Sequence, residues 1–138
     1  MSSSLAEIRN FCLDLLKLVV SRIPDAVKRA ADRINVSELF DEKYLADEAS
    51  IMRDELVEIE LPESEEDKKR LLAALLREFL RDTLITELGK KIVEVLVEDQ
   101  EVQAKFDALL AKVREYHELK RRARPRQTSR IRQERSSH

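Results

Sequence analysis

A single glycine, Gly89, stands in the 138 residues of this chain, with only three prolines, Pro24, Pro62 and Pro125. Strand-rich folds place glycines at hairpins and bulges, because those turns use backbone angles that a Cβ opposes. Phosphate-cradling and dinucleotide-binding loops need several glycines close together for a related reason. A chain this poor in turn formers is left with helices joined by connections that rely on capping side chains. The expected fold class is therefore all-α, a helical bundle of about five helices. The length suits one domain, which buries roughly two thirds of its unfolded surface. Charged residues make up 39% of the chain, against roughly 25% in an ordinary domain. That excess fits amphipathic helices with fully charged outer faces.

Periodicity places the helices. Ser4 and Glu7 have the spacing of a capping box and mark the start of the first helix. Within it Glu7, Asn10, Asp14, Lys17 and Ser21 form one narrow polar stripe, and nearly everything else is apolar: Leu5, Ile8, Phe11, Cys12, Leu13, Leu15, Leu16, Leu18, Val19 and Val20. A helix apolar around most of its girth is either the centre of a bundle or part of an interface. Pro24 falls where a first helical turn tolerates it, and Val27, Ala30, Ala31 and Ile34 then give a short second helix. Ser37 is the next cap candidate. In a third helix Leu45, Ala49, Met52, Leu56 and Ile59 share a face. Val57 to Leu61 also alternates like a strand, but no second strand stands near to pair with it, so helix is favoured and Pro62 closes it.

Ser64, followed by Glu65, Glu66 and Asp67, caps a long fourth helix with acids at its positive dipole end. Its stripe runs through Leu71, Leu72, Leu75, Leu76, Phe79, Leu80, Leu84 and Leu88. Gly89 either ends this helix or, since the stripe resumes at Ile92 and Leu96, only kinks it. Asp99 caps a last helix bearing Val102, Phe106, Leu109, Leu110, Val113 and Tyr116.

After Leu119 the pattern stops. Residues 1–119 are expected to form the bundle, and residues 120–138 an Arg-rich tail without a core of its own, expected to be disordered. The tail holds Lys120, Arg121, Arg122, Arg124, Arg126, Arg130, Arg132 and Arg135 against one acid, Glu134, a net +7. Residues 38–67 hold 13 acids against Lys43 and Arg53, a net −11. The overall charge of −2 hides this division. The eight cations are the candidate polyanion-binding residues, since an Arg-rich arm binds phosphate polymers non-specifically. Against that, the tail has no aromatic side chain for base stacking, and the acidic body repels the same polymer. A solvated tail, or a clamp onto the acidic segment in the same chain or a neighbour, is the weightier reading. Arg126 three residues before Ser129 also resembles a basophilic kinase site, a pattern that recurs by chance in any such tail.

Catalytic and metal-binding constellations are sparse. The two histidines are His117 and the terminal His138, and Cys12 is the lone cysteine, so neither a four-ligand zinc site nor two Glu-x-x-His pairs can be assembled. A Cys12–His117 nucleophile pair is conceivable, but Cys12 lies among Phe11, Leu15 and Leu16, where a thiol is a small core residue with a raised pKa. His117 reads as an exposed or boundary residue. No enzyme activity, cofactor or metal is expected. No uncharged run approaches the roughly 18 residues of a membrane span, and Glu7, Arg9, Asp14 and Lys17 interrupt the apolar N-terminus, which fits a signal peptide poorly. An intracellular, aqueous setting follows by default.

The functional expectation is a non-enzymatic interaction protein, an adaptor or small subunit of a larger assembly, with protein partners that include further copies of itself. Leu5, Ile8, Phe11, Leu15, Leu18 and Val19 of the first helix are the candidate partner-binding residues. The alternative from the same residues is that this helix is simply the core. A nucleic-acid accessory protein using residues 120–138 as a basic arm is the second functional expectation.

Overall fold

In the computed structural model, residues 2–26, 40–80 and 86–136 are described, with side chains described over 4–23, 40–80 and 89–123. Among these residues the fold is all-α. The helices are α1 (Ser2–Ala26), α2 (Glu42–Glu58), α3 (Glu65–Leu80), α4 (Thr86–Glu98) and α5 (Gln100–Ser136). The expected short helix over Val27 to Ile34, and the cap expected at Ser37, lie outside the described residues.

Helix α1 is the centre. It packs on α2, α4 and α5, and Ile8, Cys12, Leu15, Leu16, Val19 and Ile23 are all buried. Glu7, Asn10, Asp14, Lys17 and Ser21 are exposed, so the polar stripe read from the sequence is the strip of α1 left to solvent. Pro24 sits in the last turn of α1, not in the first turn of a following helix. A first-turn proline gives up no intrahelical bond, whereas one in a last turn lacks the N–H for the carbonyl four residues back. Lys112 reaches Glu7 (3.2 Å) and Arg22 reaches Glu101 (2.5 Å), so α5 runs antiparallel to α1.

The inward faces carry the stability. Leu45, Ala49, Met52 and Leu56 of α2, Leu72, Leu75, Leu76, Phe79 and Leu80 of α3, Ile92, Val93, Leu96 and Val97 of α4, and Val102, Phe106, Leu109, Leu110 and Val113 of α5 join α1 in one core. Among the described residues every buried side chain is apolar. Full burial of a Leu or Phe contributes roughly 1.5–3 kcal/mol, against about 0–1 kcal/mol for an exposed ion pair such as Arg70–Glu66. Packing wins.

The fourth helix expected from the sequence is two helices. Lys69 of α3 meets Glu98 of α4 at 3.3 Å, which folds α4 back antiparallel to α3. The physical reason is burial. One helix from Glu65 to Glu98 would be roughly 50 Å long, about twice the length of α2, and half its leucine stripe would find nothing to cover it. Residues 81–85, between the two helices, lie outside the described ones. Gly89 therefore neither ends nor kinks a long helix: it lies inside α4, and its φ is not positive.

The expected start caps at Ser64 and Asp99 are present, whereas α1 already begins at Ser2, so Ser4 lies inside its first turn and not at the cap expected from the Ser4–Glu7 spacing. Ser64 Oγ accepts from Asp67 N (3.1 Å), and Asp99 Oδ1 accepts from Glu101 N and Val102 N (2.9 and 3.2 Å). The α2 cap is Asp41, which accepts from Tyr44 N at 2.8 Å. Helix α2 stops at Glu58, with Ile59 already extended (φ −98°, ψ 161°), three residues ahead of Pro62. A residue before proline is pushed out of helical angles, and here the unwinding spreads back from Leu61.

Helix C-termini are finished by side chains from elsewhere in the fold. Tyr44 Oη donates to Phe79 O (2.7 Å) at the end of α3, His117 Nε2 lies 3.0 Å from Val57 O at the end of α2, and Gln103 Nε2 donates to Val97 O (2.7 Å) at the end of α4. Since a carbonyl only accepts, His117 carries its proton on Nε2. Tyr44 is further fixed by Phe40 and Phe79, its ring 5.8 and 5.7 Å from theirs. Equilibrium denaturation checks this arrangement from two sides. Tyr44→Phe lowers stability by about 1–2 kcal/mol, because Phe79 O loses its donor in a half-buried site. Gly89→Ala raises it by about 0.5–1 kcal/mol, since a Cβ there meets nothing within 4 Å and alanine is the better helix former.

Candidate interaction surfaces

The six partner-binding residues read from α1 divide into two groups. Ile8, Leu15 and Val19 are spent inside the core. Leu5, Phe11 and Leu18 are half-buried, Phe11 and Leu18 packing against that core. Lys112 lies over the Phe11 ring (5.7 Å to its centroid) while paired with Glu7. That hydrogen bond to Glu7, with the charge of Glu115 behind it, raises the Lys112 pKa. The apolar girth of α1 is thus closed mainly by the rest of the fold, and open surface has to be sought on other elements.

The first such surface is a groove of about 560 Å³ between α3 and α4. Ala73, Val93 and Val97 form its floor, and Arg77, Lys90, Glu94 and Glu98 its rim. The sequence pattern explains it. On α3, Ala73 puts a small side chain between Lys69 and Arg77, which lie one turn to either side of it. On α4, Val93 and Val97 are one turn apart and just short of full burial, 5% and 8% exposed. Two antiparallel helices with short side chains along one seam leave a trough. The rim is polarised: Arg77 and Lys90 stand at one end, and Glu94 and Glu98 follow toward the other. Among the described residues Lys90 and Glu94 make no ion pair, while Glu98 is held by Lys69 and Arg77 Nε donates to Ala73 O (3.2 Å).

The second surface is the outer face of α2. Asp47, Ile51, Asp54 and Glu58 recur at steps of four, three and four, diametrically opposite the buried Leu45, Ala49, Met52 and Leu56. All four are exposed, and Ile51, at 49%, is a large apolar side chain in the middle of an acidic stripe that begins at Lys43. Asp54 is paired with Arg53 at 3.0 Å.

The third lies where α2 ends beside α5. Val57, Glu58, Ile59, Glu60, His117, Lys120 and Arg121 line an open cleft of about 380 Å³. Lys120, Arg121 and Arg122 are exposed, and Lys120 sits 5.9 Å from the centroid of the Tyr116 ring. Leu119, beside them, is 52% exposed. Helix α5 continues to Ser136. The expected polyanion-binding side chains Arg124, Arg126, Arg130, Arg132 and Arg135, the expectation of a disordered tail, and Ser129 fall on residues whose side chains lie outside the described ones.

Cys12 and His117 have separate duties. The Cys12 thiol is wholly buried, and that burial pushes its pKa up to about 12, with the charge of Arg53 only partly opposing. His117 is committed to the end of α2. Glu65, Glu66 and Asp67 are exposed in the first turn of α3, where they complement the helix dipole and pair with Lys68 and Arg70. Among the described residues no three His, Cys, Asp or Glu side chains group as a metal site would, and no helix is long and apolar enough to cross a membrane.

The α2 stripe was legible in the sequence spacing, had the outer face been read as well as the inner one. The groove was not, because it exists only once α4 folds back on α3. Comparison of the chain with protein-family models, with curated proteins and with solved structures finds no match. The burial of Cys12 makes a direct prediction. At pH 7 its thiolate fraction is on the order of 10⁻⁵, so an aromatic disulfide reagent labels the native protein only through opening of the fold. Its rate then rises with denaturant in step with unfolding. Above pH 9 the unfolded chain releases a proton that the native thiol keeps, so stability falls as pH rises from 9 toward 12. Cys12→Ala removes that component of the decline.

Proposed function

We propose that this chain is a non-enzymatic interaction protein, an adaptor or small subunit that engages helical segments of protein partners. The observation that carries this is the groove between α3 and α4. It is open, floored by Ala73, Val93 and Val97, and rimmed by charges of both signs. An amphipathic helix binds such a trough by laying apolar residues at positions i, i+3 and i+4 on the floor while its flanks meet the rim. The rest of the surface supports the reading. Among the described residues the exposed large apolar side chains, Ile51, Ile59, Val95 and Leu119, stand singly among charges, the dispersed kind of apolar surface that a monomer tolerates. The groove is the more contiguous feature.

A second reading, a nucleic-acid accessory protein with a basic arm, is favoured by one observation: Lys120, Arg121 and Arg122 are exposed in an unbroken cationic run. It is weakened by Glu58 and Glu60, which face the same cleft and would repel a phosphate chain.

A display selection of random peptides against the full chain separates the two. Under the groove reading it returns amphipathic helices whose affinity drops by about tenfold or more on Ala73→Glu and is unchanged on Arg121→Glu. Failure to recover any groove-dependent peptide, combined with RNA binding that is lost on deleting residues 120–138 and steeply weakened by salt, would reverse the order of the two readings.

A further inference from the structure

We infer that α5 beyond Leu119 is a nucleic-acid-binding helix that grips backbone phosphates through arginine. It rests on the basic-arm reading, names the chemistry of the grip, and is independent of the α3–α4 groove.

The first support is where α5 carries its cations. Lys112 lies beside Glu7 near the start of α1, and His117 lies beside Val57 at the end of α2. Helix α3 starts beside Asp107 and runs the other way, its end meeting Tyr44 at the start of α2. Past Arg121, then, α5 leaves the other described helices behind and continues to Ser136. From Arg122 that is roughly 20 Å of helix. Glu58 and Glu60, the acids that oppose a phosphate chain, share the cleft at its root with Lys120 and Arg121. Arg130, Arg132 and Arg135 stand more than roughly 10 Å further along the axis. Exposed charges act over about 8 Å at physiological salt, so the far arginines escape that repulsion. Glu115 and Glu118 also precede the arm, and Glu134 is the single acid within it.

The second support is the choice of cation. Residues 1–119 hold nine arginines and nine lysines, whereas residues 120–138 hold seven arginines and one lysine. A guanidinium offers a planar fork to two oxygens of one phosphate, which an ammonium does not. Carboxylates accept the same fork, so a further feature has to decide between ligands. The arm's apolar residues are Ala123, Pro125 and Ile131. Protein interfaces need an apolar centre, and electrostatics alone hold a membrane surface weakly. A nucleic acid backbone is bound by cations without either. With no aromatic side chain to stack on bases, the grip falls on phosphates and is indifferent to sequence.

Fluorescence anisotropy tests this with the full chain and labelled duplexes of RNA and of DNA, about 20 base pairs long. Duplex binds at low salt, and affinity falls by about a hundredfold or more between about 50 and 200 mM salt. A preference for one duplex supports the inference and identifies the source of the phosphates. Deleting residues 120–138 abolishes binding while circular dichroism still shows the bundle. Arg121→Lys, made together with the same change at the arm's other six arginines, keeps the charge and lowers affinity by about tenfold. Polyglutamate at equal charge does not displace the duplex, and Ala73→Glu leaves binding unchanged. Absent binding at low salt, or affinity undiminished by the deletion, overturns the inference together with the basic-arm reading. Undiminished affinity of the all-lysine arm overturns the arginine grip and leaves the basic arm standing. Displacement by polyglutamate overturns phosphate as the ligand in favour of an acidic protein surface.

Discussion

Every helix leaves its last carbonyls without a backbone donor, and how a chain answers that need decides much of its architecture. The common answer is a glycine in the left-handed region just past the helix end. With Gly89 alone, and inside α4, that answer is closed, and among the described residues no backbone takes a positive φ. The ends of α2, α3 and α4 instead take donors from His117, Tyr44 and Gln103. None of these side chains belongs to the helix it finishes. Local helix termination has been made a tertiary interaction, and α5 supplies two of the three donors. The end of α2 is therefore complete only when α5 is docked, and that of α4 once the first turn of α5 has formed, which ties helix formation to the assembled core.

That dependence explains why α1 can be so apolar. A helix with one narrow polar stripe needs neighbours on most sides, and α2, α4 and α5 provide them. The sequence left two fates open for Ile8, Leu15 and Val19, core or interface, because both bury the same side chains. What separates them is the number of helices that the remaining chain can bring around α1, a property of the whole fold that no local pattern carries. The stripe of Glu7, Asn10, Asp14, Lys17 and Ser21 was legible because it depends only on helical period. So were the caps at Ser64 and Asp99, where side-chain chemistry and position coincide.

The boundary between α3 and α4 was harder to read for a related reason. Leucines at helical spacing continue through Leu84 and Leu88, and neither proline nor a glycine in the left-handed region interrupts them. Nothing local opposes a straight helix there. The hairpin is chosen globally: folding back buries the faces of Leu72, Leu76, Ile92 and Leu96 together, each Leu-sized side chain contributing roughly 1.5–3 kcal/mol. Several such burials outweigh the few hydrogen bonds lost at one break, each worth about 1 kcal/mol net. The groove is a by-product of that choice, because Ala73, Val93 and Val97 are short side chains brought face to face.

Charge then decides what such a groove can select. Burying one large apolar side chain of a helix against a floor of Ala73, Val93 and Val97 provides only about 1.5–3 kcal/mol before the cost of association is met. Apolar contact alone would accept many helices and hold none of them well. The rim adds little net affinity, since exposed ion pairs are worth about 0–1 kcal/mol each, but it penalises a helix laid in the wrong direction or carrying the wrong sign. A core that keeps charge wholly on the outside leaves the surface free to be sorted in that way.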